Sequence, residues 1–182
     1  MCNICDLQSE LGSPEVLGGI WFGKREIKID QSLDPTTHRK MLGRYRFTIA
    51  HEVGHWRLHR QHLMNDPSAA SLFEADCEPA FVQRSNQNPP EEVQANAFAA
   101  LVLMPRKLVV DAWSRWRDSD EPVAITDLAI GSYHESQKAN EEMAIDQFCK
   151  PLADQFEVSA QALRYRLQQL QLVVKGDQAR LF

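Results

Sequence analysis

The chain has 182 residues, 20 Lys+Arg against 25 Asp+Glu for a formal net charge of −5, and 43% apolar residues. That length suits one domain with at most a small appendage, and the composition is that of an ordinary globular protein. Wholesale disorder, collagen-like repeats and coiled-coil arrays are excluded, and the negative charge removes the general electrostatic case for nucleic-acid binding, so no direct nucleic-acid contact is expected.

The N-terminus reads Met1-Cys2-Asn3-Ile4-Cys5-Asp6 and carries no basic-then-apolar signal region. The longest apolar run, 95–105 with Asn96 inside it, covers about half the ~20 residues of a membrane helix. The expected location is cytoplasmic, with no membrane partner. Cys2 and Cys5 form a CxxC, but a zinc ribbon needs a second pair, and Cys77 and Cys149 stand alone. The four are read as ordinary reduced thiols.

In chain order, residues 16–30 predict a hairpin: an apolar run to Phe22, then Gly23-Lys24, then strict alternation over Glu26–Asp30. Glycine first in a two-residue loop is what a type II′ turn asks for. A helix follows from about Thr36, well marked from Arg44 to Arg60. Residues 63–90 are turn-rich, with a short strand over Ala80–Arg84. A second strong helix starts near Pro90 and must end before Pro105. Further helices are expected over Lys107–Arg117 and Glu135–Cys149. Residues 152–170 read as two short helices broken at Val158-Ser159, with Ser159 as N-cap. A small sheet followed by helices is an α+β pattern. The expected division is a core over 1–117 and a helical extension over 118–182 packed on it.

The chemistry lies in the helix over Phe47–His59, which contains His51-Glu52-Val53-Gly54-His55, an H-E-x-x-H motif. Residues four apart stand one turn above each other, so His51 and His55 present two imidazole nitrogens to one divalent ion. Glu52 lies about 100° round the helix, off that pincer and suited to act as general base. Phe47, Ala50, Gly54 and Leu58 follow the spacing of a buried stripe, and both histidines fall on it. Desolvated histidines need partners, and Gly54 leaves room for another chain segment to come close.

A third ligand is still required. A metzincin places Gly and His three and six residues after the second His, but those positions hold Leu58 and Gln61. A gluzincin takes a glutamate from a later helix, and Glu91 and Glu92 open one. Asn88 as N-cap with Glu91 three residues later makes a capping box. That leaves Glu92 as the favoured ligand, sharing a face with Asn96 and Ala99. Asn96 is expected to accept a hydrogen bond from a ligand imidazole. His59, one more turn along, is a candidate for the same supporting role.

The stretch from Arg46 to His59, together with Glu91-Glu92-Val93-Gln94-Ala95-Asn96-Ala97-Phe98-Ala99-Ala100 and on to Pro105, resembles the ImmA/IrrE family of zinc metallopeptidases. Residues 152–167 resemble the helical tail of that family. The resemblance implies a zincin-like fold, a Zn²⁺ cofactor, and cleavage of a helix-turn-helix transcriptional repressor in a stress-response or mobile-element switch. The expected chemistry is peptide hydrolysis, with Zn²⁺ on His51, His55 and Glu92 and with Glu52 as base. An oxyanion donor is also needed; Tyr133 and His134 are the first candidates, ahead of Arg84 and His59.

Two other classes stay open. The helices after residue 150 have the spacing of a helix-turn-helix DNA-binding module. A zinc-containing regulatory protein with weak turnover keeps the same ligands.

Overall fold

The computed structural model describes residues 1–74, 78–82, 89–125 and 137–174, with residues 82 and 137–141 described by their backbone alone. The chain divides into two compact units, Met1–Leu103 and Met104–Phe182.

The first unit is α+β, as the sequence indicates. Its strands are β1 (Cys2–Cys5), β2 (Gly18–Trp21), β3 (Glu26–Asp30) and β4 (Phe81–Val82), and they form one sheet in the order β1-β3-β2-β4. β1 runs parallel to β3, while β2 is antiparallel to both β3 and β4. The helices are α1 (Leu7–Leu11), α2 (Leu42–Leu58), α3 (Arg60–Met64) and α4 (Pro90–Leu103). Leu7, Val16 and Trp21 form a buried cluster between α1 and the sheet. Neither β1 nor α1 is anticipated by the sequence reading. On a strand, residues three apart face opposite sides, so Cys2 and Cys5 do not form a chelating pair; Cys2 is exposed and Cys5 half-buried.

The hairpin forms, but not through the expected turn. Trp21 pairs with Glu26, leaving a four-residue loop closed by Arg25 N–H donating to the Phe22 carbonyl at 3.3 Å. The left-handed residue is Arg25, at φ 52°, and not Gly23. Gly23 answers a different need, because a Cβ there would stand 2.7 Å from the Phe73 carbonyl oxygen. The backbone of the 3₁₀ turn Pro67–Phe73 passes directly against the loop.

α2 is rich in glycine and β-branched residues, so its stability comes from packing and not from intrinsic propensity. It packs chiefly on α4 and on the sheet. A Cβ on Gly18 would meet Thr48 Cγ2 at 2.5 Å and Glu52 Oε1 at 2.9 Å, so glycine in β2 lets α2 lie flat on the sheet. Across the helix, a Cβ on Gly54 would stand 3.1 Å from the Ala95 Cα, the close approach that glycine was expected to permit. The buried arc of α2 is Thr48, Ala50, His51, Glu52, Gly54 and His55. Leu58, expected on that stripe, is 45% exposed. The arc is centred on polar residues, and burial continues past Leu58 at His59.

The second unit holds α5 (Arg106–Arg117), β5 (Val123–Ala124), α6 (Gln137–Phe156), α7 (Ala160–Gln169) and β6 (Val173–Val174), with β5 and β6 paired in parallel. The boundary expected after residue 117 places α5 with the first unit. Instead, Trp113 and Trp116 meet Phe148 of α6 at 6.2 and 4.9 Å between ring centroids. α6 does not stop at Cys149; it runs through Pro151, because Leu152 and Ala153 extend the buried stripe begun by Ile145 and Cys149. The turn after α6 has Glu157 at φ 52° and Val158 N–H donating to the Ala153 carbonyl, a helix-ending arrangement. Ser159 caps α7 by accepting from Ala162 N–H at 3.1 Å.

Burial, with Asp146 adding to it, pushes the Cys149 thiol up to about 12, so this cysteine is a packing group. The cations of α7 face inward: Arg164 is 2% exposed and paired with Asp146 at 3.2 Å, and Arg166 is 4% exposed and donates to the Met104 carbonyl at 2.9 Å. Among the described residues, no single helix is long and apolar enough to cross a membrane.

Candidate metal centre

The geometry begins with α2, where His51 and His55 are both fully buried. Their Nε2 atoms face each other at 3.0 Å. Glu92, from the first turn of α4, reaches both: Oε2 lies 3.1 Å from His51 Nε2 and Oε1 lies 3.3 Å from His55 Nε2. Glu91, one position away, is exposed. Of the two adjacent glutamates, the structure brings Glu92 to the histidines.

This donor set fits a small divalent ion. A tetrahedron with bonds of ~2.0–2.1 Å has edges of about 3.3 Å, and the three observed separations are 3.0, 3.1 and 3.3 Å. Among the described residues, His51, His55 and Glu92 are the one group of three such side chains with that convergence. Two buried ring nitrogens at this distance share either a proton or a cation.

The electrostatics agree with the geometry. Burial opposes the charge on Glu92, but hydrogen bonds and charge from His51 and His55 outweigh it and hold the carboxyl down at about 2. Burial lowers His55 below the usual imidazole value, against the pull of Glu92. Its neutral, ligating form is thereby favoured. Glu52 is 1% exposed, and neither carboxylate oxygen has a hydrogen-bond partner among the described residues. Burial first, and the charge of Glu92 second, push its carboxyl well above the usual range. An orphaned buried carboxyl is costly; here it stands where H-E-x-x-H geometry places a general base.

The far sides of the ligand rings are also held. Asn96 Oδ1 accepts from His51 Nδ1 at 3.0 Å, the contact expected from its place one turn after Glu92. His59 is buried, with its Nδ1 3.0 Å from His55 Nδ1 and its Nε2 3.1 Å from Gln94 Oε1. Phe81 of β4 stacks on His55 with centroids 4.0 Å apart.

Gln94 and Phe81 escaped the sequence reading. Gln94 lies off the face shared by Glu92, Asn96 and Ala99, so helical spacing gives no reason to select it. Phe81 is visible only as part of a short strand. The remaining candidates Arg84, Tyr133 and His134, and the expected cap Asn88, lie outside the described residues.

A buried helix that offers two imidazoles and an acid, closed by a carboxylate from a second helix on a small sheet, defines the metallopeptidase class. The chain belongs to the IrrE N-terminal-like domain family, Peptidase_M78, whose model matches residues 36–168. The match starts after the hairpin and extends through 118–140, a stretch that the resemblance seen in the sequence did not cover. Comparison with curated proteins gives no match.

Proposed function

We propose that this protein is a zinc-dependent endopeptidase that cuts a protein substrate, a helix-turn-helix transcriptional repressor, in a stress-response or mobile-element switch. The observation that carries the catalytic part is the convergence of His51, His55 and Glu92 beside the buried carboxyl of Glu52, which has no hydrogen-bond partner among the described residues. The repressor part rests on the family resemblance.

His51, His55 and Glu92 would hold the ion. When bound, it supplies Lewis acidity, which polarises a peptide carbonyl and acidifies water. Glu52 takes the proton of the attacking water and passes it to the leaving amine. Phe81 against one face of His55 and Asn96 on Nδ1 of His51 fix the ring planes, so that both Nε2 atoms stay aimed at one point. Gly18 makes room for Glu52 between sheet and helix.

The test is incubation of the zinc-loaded protein with the helix-turn-helix protein encoded beside it. Loss of the full-length substrate is expected, blocked by a chelator and by Glu52→Gln. Cleavage that persists in Glu52→Gln overturns the base assignment, and an intact substrate overturns the repressor assignment.

A further inference from the structure

We propose that Gln94, acting through His59, sets which nitrogen of His55 carries the proton and so decides whether His55 can ligate a metal. The inference rests on the reading of His51, His55 and Glu92 as ligands. It concerns two positioning residues, one of which has no other evident task.

A neutral imidazole has one N–H donor and one bare acceptor nitrogen. The contacts form a chain: Gln94 Oε1 to His59 Nε2 at 3.1 Å, then His59 Nδ1 to His55 Nδ1 at 3.0 Å. An amide oxygen can only accept, so the proton of His59 sits on Nε2 and its Nδ1 is bare. A bare Nδ1 on His59 requires the N–H of His55 to be at Nδ1. That leaves His55 Nε2 bare, and Nε2 is the atom that faces Glu92 and His51.

Turning the Gln94 amide over reverses every link. Its NH₂ would donate to His59 Nε2, His59 Nδ1–H would donate to His55, and the proton of His55 would sit on Nε2, where a metal must bind. The polarity of a side chain two hydrogen bonds away thus fixes the ligating form. His51 reaches the same result in one step, through Asn96 Oδ1 at 3.0 Å. His59 is 7% exposed, so water does not readily substitute for Gln94 in the chain. Gln94 itself is exposed, and its replacement leaves the core intact.

The experiment compares three variants of the full chain by zinc affinity, measured against a competing chromophoric chelator. Gln94→Glu keeps an acceptor of the same length, Gln94→Lys offers only donors, and Gln94→Met offers neither. Gln94→Glu should bind zinc within about threefold of the parent. Gln94→Lys should lose about 10–100-fold, the usual cost of a lost partner behind a metal ligand. Gln94→Met should fall between them. On a His59→Ala background the difference between Glu and Lys at 94 should vanish, because the relay is cut. A difference that survives there reflects charge alone, and it overturns the proposal, as do three variants that bind equally or weaken equally. Wild type and His51→Ala serve as controls. If wild type takes up no stoichiometric zinc, or His51→Ala binds as well as wild type, the metal-site reading itself fails. If both controls behave and the Gln94 series is flat, only the relay fails.

Discussion

Glu91 and Glu92 are chemically identical neighbours, and about 100° of helix rotation separates their roles. Glu92 is turned inward at 8% exposure onto two imidazoles, while Glu91 faces solvent. Glu92→Gln keeps the shape and removes the charge. It should weaken zinc binding by more than about 100-fold, because even supporting partners cost about 10–100-fold. Glu91→Gln should stay within about twofold. Equal losses in a competition titration would overturn the choice of Glu92 over Glu91 as the ligand. At this scale the sequence was readable wherever contact is local to one helix. His51 and His55 are four apart, as are Glu92 and Asn96, and helical geometry places each pair on one face without further information. Gln94 and Phe81 were not readable, since each meets α2 from another element at a position no spacing marks.

The element that decides the site is the α2–α4 pair, and its separation is set by Gly54. A Cβ there meets Ala95 Cα at 3.1 Å, Ala95 O at 3.2 Å and Phe98 Cβ at 3.3 Å. Two of these are backbone atoms of a helix, which give way poorly. Gly54→Ala gains about 1 kcal/mol of helix propensity against about 1–3 kcal/mol of overpacking. A net loss of about 1 kcal/mol in the metal-free protein is expected, with weaker zinc binding as Glu92 moves off the histidines. A variant that is both more stable and tighter for zinc would mean that the glycine does not set the gap. The end of β3 has its own clamp: Asp30 accepts from Gln8 N–H at 3.1 Å and from Ser32 N–H at 2.9 Å, tying α1 to β3. Burial raises its pKa, but these bonds overcome it and leave the carboxyl below the ordinary 3.8. A carboxyl depressed in the folded state stabilises the fold above the unfolded value, and that contribution is lost as pH falls through 3.8 and below. Asp30→Asn should therefore cost about 1–2 kcal/mol at pH 7, and the gap to wild type should narrow towards pH 3. Urea unfolding of the metal-free proteins at both pH values checks this, and a gap independent of pH would refute it. The existence of α2, α4, α5 and α7 was legible from periodicity, proline stops and the Ser159 cap. The parallel pairing of β1 with β3 was not, because it joins residues about 25 apart through no turn signal.

Over the whole molecule, the question is where a bound ion would be felt. All three converging donors lie in the unit Met1–Leu103, two on α2 and one on α4. The boundary itself was hidden in the sequence. Nothing in the composition of 104–117 announces that Trp113 and Trp116 pack on Phe148. An ion that binds the native state alone stabilises it by RT ln(1 + [L]/Kd), about 2.7 kcal/mol at a free concentration of 100 Kd. At roughly 2–4 °C per kcal/mol for a chain of this size, zinc should raise the unfolding midpoint of wild type by about 5–10 °C, and a chelator should reverse the rise. His51→Ala should show neither effect. Hydrogen exchange on the full chain then locates the change. Zinc should slow exchange across α2 and α4, since it adds a bond from His51 and His55 on α2 to Glu92 on α4 beside the existing Asn96–His51 and Gln94–His59 contacts. A midpoint shift accompanied by new protection in α6 and α7, with α2 and α4 unchanged, would place the ion elsewhere and remove the basis for assigning hydrolysis to this site.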